Sequence, residues 1–350
     1  MEPLAGPDTV TERVYARIGL LGNPSDGFFG KTISLSLQNF YAEVRCQPSA
    51  AVCFLPHPVH DSCQFTSLTS LVSRVQGQGY YGGLRLLMAA CKRFYEYCQQ
   101  RAIPLPETGF TLSYDTNIPR QTGLSGSSAI VCAALNCLMK LHGVGNSIPM
   151  IDRPALVLSA EQELGITAGL QDRVIQVYGG VVYMDFDRKY MDAHGHGRYE
   201  PLDVSLVPPL WLVYAENPSD SGTVHSDVKR RWLDGDPEIY AGMAEVAELA
   251  VRGRQLLEQR DYHELAKAMD HTFNLRRRMF GDAVLGSINL RMIELARSAG
   301  GAAKFTGSGG AIVVMFPQGG EAKSEQLRQL CSAEGFTVVP VDIAPPCNES

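Results

Sequence analysis

One segment constrains the fold more than any other: Pro119-Arg-Gln-Thr-Gly-Leu-Ser-Gly-Ser-Ser-Ala129. A strand-like run at 109–114 (GFTLSY) precedes it. An apolar stretch with helical spacing, 127–142, follows directly and stops at Gly143. A strand, a Gly/Ser loop and a helix start are thereby fixed in one order. Gly123 and Gly126 let backbone approach a ligand closely. The helix start offers unpaired N–H groups and the positive end of a dipole, which favour phosphate. Ser127 and Ser128 add hydroxyls suited to phosphate or a hard metal ion. The plain alternative is a serine-capped helix after a flexible turn.

Three further segments carry similar chemistry. Lys304-Phe-Thr-Gly-Ser-Gly-Gly310 precedes an apolar strand at 311–316 and forms a second anion-accommodating loop, or simply a tight turn. Arg17-Ile-Gly-Leu-Leu-Gly-Asn-Pro-Ser-Asp26 runs from a strand at 14–21 into a polar turn, continuing to Gly30-Lys31-Thr32. In the fourth, Glu161 sits on a helix over 154–164, and Asp172 follows a glycine-broken turn. One carboxylate for Mg²⁺ and one for a substrate proton are what phosphoryl transfer needs. Solvated acids on a helix face are the ordinary alternative for any single pair.

The rest of the chain is read as strands at 51–55, 179–186, 210–215 and 336–341. Helices are expected at 84–98, 238–259, 262–279 and 288–299, with another between the last two strands. No clean βαβ alternation emerges, so the fold class is α+β. The 350 residues, 45% of them apolar, suffice for two domains or one large one. The polar stretch 187–209 is the expected boundary, giving domains 1–195 and 196–350. A formal charge of −6 disfavours nucleic acid as a partner. No apolar run reaches membrane-spanning length, and the first twenty residues lack a signal-peptide pattern. The nine cysteines include no C-x-x-C pair; Cys91 and Cys98 read as small buried hydrophobes, and Cys46, Cys53 and Cys63 are near enough in sequence to pair. A reducing cytoplasm is the expected location.

The four segments together resemble the galactokinase, homoserine kinase, mevalonate kinase and phosphomevalonate kinase (GHMP) superfamily. P-x-x-x-G-L-x-G-S-S-A at 119–129 looks like its phosphate loop, K-F-T-G-S-G-G at 304–310 its C-terminal glycine motif, and R-x-x-x-x-G-x-x-x-D at 17–26 its substrate motif. Within it, ARIGLLGNPSDGFFGKTIS, IPRQTGLSGSSAIV and AAKFTGSGGA are most similar to the glucuronokinases. The resemblance implies an N-terminal domain like ribosomal protein S5 and a C-terminal ferredoxin-like α/β domain. It also implies ATP and Mg²⁺ as cofactors and a small sugar acid, D-glucuronate, as the acceptor. The implied setting is carbohydrate metabolism leading toward UDP-glucuronate. No nucleic-acid or membrane partner is implied.

The resemblance also assigns roles. Pro119, Gly123, Leu124, Ser125, Gly126, Ser127, Ser128, Ala129, Thr306, Gly307, Ser308 and Gly309 would contact ATP. Ser128 and Glu161 would hold Mg²⁺. Asp172 would be the general base, with Arg17 beside it, and Asp26 would bind sugar hydroxyls. Asn23-Pro24 departs from the Glu-His of galactokinases, and the phosphate loop is one residue longer than its shortest form. A uronate carboxylate needs a cation, because a buried carboxylate without a partner is strongly disfavoured. Lys31 and Arg120 are the expected candidates, then Arg276 and Arg277.

Other patterns compete. Gly27–Thr32 ends like a Walker A loop but lacks its first glycine, since Ser25 holds that place. Gly77-Gln-Gly79-Tyr-Tyr-Gly82 fits the dinucleotide fingerprint, which would make the chain an NAD-dependent oxidoreductase. A kinase for a neutral sugar or a heptose is the alternative within the family. His194-Gly-His196 and Asp185-Phe-Asp187 have metal-ligand spacing but read as a solvated hairpin. Arg276-Arg277-Arg278 reads as a solvated helix face.

Overall fold

The computed structural model describes residues 4, 6–61, 64–78, 82–166, 168–215, 226–318 and 320–347. Its first sheet has six strands: β1 (Val10–Leu21), β2 (Lys31–Pro48), β3 (Cys53–Phe54), β4 (Phe110–Thr116), β5 (Val181–Asp185) and β6 (Arg198–Leu202). Their order is β3-β4-β2-β5-β6, with β1 paired antiparallel to β2. In β1, Val14, Ala16, Ile18 and Leu20 recur every second residue and are buried. In β2, Ile33, Leu35 and Leu37 alternate with Thr32, Ser34 and Ser36, and all six are buried. That strand lies between two packed layers, so small hydroxyl residues replace the polar outer face of a surface strand. The Gly126–Leu141 helix, almost wholly apolar, covers β1 and β2.

The second sheet contains β7 (Leu210–Ala215), β8 (Ala302–Phe305), β9 (Ala311–Met315) and β10 (Phe336–Pro340). Their order is β10-β7-β9-β8 and every pairing is antiparallel. Helices separate β7 from β8 and β9 from β10, which is the ferredoxin-like βαββαβ arrangement. β6 lies past the expected boundary at 195 yet pairs with β5. The change of sheet therefore falls between Leu202 and Leu210, because a polar stretch continued the first sheet as an edge strand.

The two sheets share an apolar core. The Pro237–Gln259 helix packs on β1 and β2, and the Tyr262–Phe280 helix packs on β8 and β1. The Gly19 N–H in β1 donates to Thr306 O at 2.9 Å, directly after β8. The C-terminal segment returns to the first sheet, where Ala344 N–H donates to Ser36 O at 2.9 Å. These crossings bring the segments singled out in the sequence to one place.

Some expectations change. Gly77 lies in the last turn of the Leu68–Gln78 helix, whereas a dinucleotide fingerprint follows directly on a strand. Gly79, Tyr80 and Tyr81 lie outside the described residues, as does Cys63. The eight described cysteines are free thiols; Cys98 is buried and Cys91 half-buried. Asp187 caps the Arg188–His194 helix, and Asp185 pairs with Arg198, so both serve the hairpin. Among the described residues no helix is long and apolar enough to cross a membrane.

Candidate active site

Arg17 is the hub. It lies on β1, is 4% exposed, and reaches three segments at once. Its Nε donates to Asp172 Oδ1 at 2.6 Å and its Nη2 to Asp172 Oδ2 at 2.8 Å. Its Nη1 donates to Gly123 O at 2.5 Å and to Thr306 O at 3.2 Å. A planar guanidinium suits this work because its donors point in fixed directions. Arg17 therefore holds together the acid expected as base, the first glycine loop and the second.

The two loops touch. Gly123 has φ of 63°, and a Cβ there would stand 2.7 Å from Gly309 O. A Cβ on Gly307 would stand 2.3 Å from Gly123 O. Only glycine at both positions allows this contact. Arg276 holds the second loop from behind, donating to Gly307 O at 2.7 Å and Ser308 O at 3.1 Å. It is 2% exposed, so the first residue of the Arg276–Arg278 run is buried rather than solvated. The periodicity of the run hid this, because three arginines in sequence point to three sides of a helix. Burial and the nearby Arg17 push its pKa down to about 10. Lys304 is also buried; it donates to Gly19 O, Asn23 Oδ1 and Phe305 O at 2.6–2.8 Å. Burial, with the charges of Arg276 and Arg17, holds it well below the usual lysine range. Two buried guanidinium groups, Arg17 and Arg276, thus back the paired loops, a setting that favours anionic ligands.

The helix after the first loop has no side-chain cap. Ser125 stands at the capping position, but its hydroxyl donates to Asp172 Oδ2. A serine-capped turn is therefore not what this loop is. Ser125 O accepts from Gln176 Nε2 at 2.9 Å, and Thr122 Oγ1 donates to Pro119 O at 2.7 Å. Leu124 and Ala129 are buried beneath the loop.

Asp172 sits in the first turn of the Gln171–Tyr178 helix, directly after the glycine-broken turn. Burial acts to raise its pKa, but Arg17 beside it and the Ser125 hydroxyl hold it below the ordinary carboxylate range. Asp26, half-buried in the Ser25–Phe28 turn, is opposite in character. Burial first, and the charge of Asp172 second, raise its pKa to about 6. Its Oδ2 accepts from Gln171 N–H at 3.3 Å. A Cβ on Gly169 would stand 1.9 Å from that oxygen, so glycine is required for the approach. Two carboxylates with acidities pushed apart in one pocket mark an acid/base site.

The expected metal pair, Ser128 and Glu161, shares no direct hydrogen bond. Ser128 Oγ donates to Ser125 O at 3.2 Å within its own turn. Ser127 Oγ instead donates to Glu161 Oε1 at 2.8 Å. Glu161 is fully buried, and its Oε2 accepts from Nε and Nη2 of Arg173. One carboxylate oxygen is thus paired with Arg173, and the other is taken by the Ser127 hydroxyl. Ser127, half-buried, is the hydroxyl at the surface.

The expected carboxylate-binding cations have these surroundings in the fold. Lys31 faces Asp185 at 3.6 Å. Arg277 pairs with Asp282 at 2.6 Å. Arg120 lies within electrostatic reach of Arg74, Tyr114 and Asp61, and burial lowers its pKa. Sequence reasoning missed Arg173, whose only signal is adjacency to Asp172. It also missed Lys229, whose Nζ donates to Gly27 O at 2.7 Å.

Residues 85–180 match the GHMP kinases N terminal domain, and residues 254–333 match GHMP kinases C terminal. The chain is 57% identical to Glucuronokinase 1 of Arabidopsis thaliana over 338 residues, covering 97% of this chain and 93% of that protein. It is likewise 57% identical to Probable glucuronokinase 2 of the same plant, over 95% of this chain and 91% of that one. The fold superposes on Lactococcus lactis galactokinase complexed with galactose with a TM-score of 0.73 and 14% identity, over 97% and 95% of the two chains.

Proposed function

Because the chain belongs to the GHMP kinase family, with glucuronokinases as near relatives, we propose that it transfers the γ-phosphoryl group of ATP to the anomeric hydroxyl of D-glucuronate. The products are D-glucuronate 1-phosphate and ADP. The observation that carries this reading is the junction at Arg17, where one guanidinium ties Asp172 to both glycine loops.

In this mechanism the loop N–H groups and the uncapped helix start bind the phosphates of ATP. Asp172 takes the proton of the anomeric hydroxyl as its oxygen bonds to the γ-phosphorus and the bond to ADP breaks. Arg17 keeps Asp172 ionised and fixes its orientation. A carboxylate of low basicity suffices, because a loose transition state needs little activation of the nucleophile beforehand. Most of the acceleration then comes from positioning and fixed charge. Asp26 accepts from sugar hydroxyls at the other side of Asp172.

Mg²⁺, which the family implies, would be held by Ser127 and by the nucleotide's own phosphates, and it supplies neutralisation of phosphate charge. Glu161, fixed by Arg173, orients the Ser127 hydroxyl. Glu161 is a support behind the site in this assignment, not a ligand. The chain is read as two units meeting at the site, the first ending at Leu202. We place it in the cytoplasm.

The test is ADP release by the purified protein with glucuronate, galacturonate, galactose, mevalonate or homoserine. Glucuronate is expected to give the highest kcat/KM. A neutral sugar or a heptose turned over faster would move the chain to another branch of the family.

A further inference from the structure

The proposed substrate carries a carboxylate, and this inference rests on that reading. The Asp172–Asp26 line gives the site a direction. Asp172 would hold the anomeric hydroxyl, and Asp26 the hydroxyls further round the ring. In a hexuronate ring the carboxyl group is carried on C5, which flanks the ring oxygen together with the anomeric carbon. The cation that receives it must therefore stand within one sugar ring of Asp172 and Asp26.

Lys229 stands beside Asp26, on the next residue's carbonyl. It lies on the Ser226–Leu233 helix and is half-buried. Its Nζ donates to the carbonyl of Gly27, the residue after Asp26, at 2.7 Å. The ammonium faces the Phe28 ring at 4.9 Å and the Trp232 ring at 5.2 Å. Those two rings meet edge to face at 5.6 Å. Among the described residues Lys229 makes no ion pair with a carboxylate. An ammonium has three donors, and one carbonyl with two ring faces leaves it short of a full shell. Burial pushes its pKa down, and the charge of Asp26 pushes it up. Lys229 and Asp172 both couple to Asp26.

We propose that Lys229 is the specificity-determining residue that pairs with the substrate's carboxylate, against an apolar wall of Phe28 and Trp232. The pairing forms a charge-assisted hydrogen bond in a partly desolvated place, where such bonds are strongest. A neutral hydroxymethyl group would leave the ammonium without that partner, which gives discrimination against the parent sugar.

The experiment compares wild type, Lys229→Met and Lys229→Arg in steady-state kinetics with ATP and glucuronate. Methionine keeps the length and the ring contacts but removes the charge. KM for glucuronate is expected to rise about 10–100-fold in Lys229→Met, the scale of a lost charged hydrogen bond. Arginine is expected to recover most of that loss, while KM for ATP stays within about threefold in both variants, well below the charged-bond scale. Melting curves show that each variant is folded. A KM for glucuronate within about threefold of wild type in Lys229→Met overturns the proposal, since that is less than one charged hydrogen bond. An equal rise in the KM values for glucuronate and ATP also overturns it, because that pattern marks a structural lesion. If wild type itself fails to phosphorylate glucuronate, the functional reading and this inference fall together. Normal wild-type turnover with an unaffected Lys229→Met removes the inference alone.

Discussion

Two carboxylates share this pocket, and their asparagine variants should move stability in opposite directions. Asp26 gains little from the fold: one backbone N–H at 3.3 Å, burial, and the like charge of Asp172. Its pKa rises from the usual 3.8 to about 6. The folded pKa lies above the unfolded one, so the native state holds the extra proton between about pH 4 and 6. Stability is lost as pH rises through that window, and the penalty is complete above it. At 1.36 kcal/mol per tenfold change in acidity the full penalty is about 3 kcal/mol. Partial solvent access reduces it to about 1–2 kcal/mol. The charged groups facing Asp26 are Asp172, Arg17, Arg173 and Lys229. Asp26→Asn removes the ionisation cost and keeps an oxygen for the Gln171 N–H. At pH 8 its Tm should rise by about 2–4 °C. The gain should shrink toward pH 4, where the wild-type side chain is protonated. Asp172→Asn should do the reverse, because it strips Arg17 of a charged partner in a buried place. The same Asp26→Asn protein should show a raised KM for glucuronate, by about tenfold, with KM for ATP little changed. Thermal denaturation at pH 8, 6 and 4.5 reads the effect directly. A lower Tm for Asp26→Asn at pH 8, or a difference that ignores pH, would refute the reasoning.

Other outcomes follow from the same geometry. Asp172→Asn should lose about 10²–10⁴ in kcat, the scale of a missing general base, and a near-normal kcat in folded protein would remove that role. Ser127→Ala should raise the Mg²⁺ concentration needed for half-maximal rate, while Ser128→Ala should not, since Ser128 only bonds its own turn; the opposite ranking would restore Ser128. Arg173→Met should cost about 3–5 kcal/mol by leaving Glu161 buried and unpaired. Pairing it with Glu161→Gln should recover part of that loss in denaturant unfolding, and no recovery would mean the two side chains are not coupled.

The segments that bind and react were legible because their chemistry needs special residues. Gly123 and Gly307 are glycines since two backbones touch there, and Asp26, Asp172 and Arg17 are the charged residues that the proposed phosphoryl transfer would use. The long amphipathic helices of the second half were also legible, because one apolar face repeats every turn. β2 was not, although Thr32, Ser34 and Ser36 alternate with Ile33, Leu35 and Leu37. Buried hydroxyl residues give a weaker pattern than charged ones facing water, and the strand is interrupted by a polar stretch near Gln38 and Asn39. β6 was read as loop because an edge strand rich in polar residues lacks the apolar alternation. Arg276 looked solvated within a basic run, and its burial depends on carbonyls more than 30 residues away. Lys229 had no motif at all. Its position follows from where a helix of the second half crosses the Ser25–Phe28 turn, and no local spacing records that.

The most direct test follows the sugar rather than the nucleotide. Purified protein is incubated with ATP, Mg²⁺ and D-glucuronate, and the product is examined by ³¹P NMR and by a reducing-end assay. The account expects one new phosphomonoester coupled to the anomeric proton, with loss of one reducing end for each ADP released. ADP release with the reducing end intact would contradict it, since phosphate would then sit on a ring hydroxyl and Asp172 would not face the anomeric oxygen.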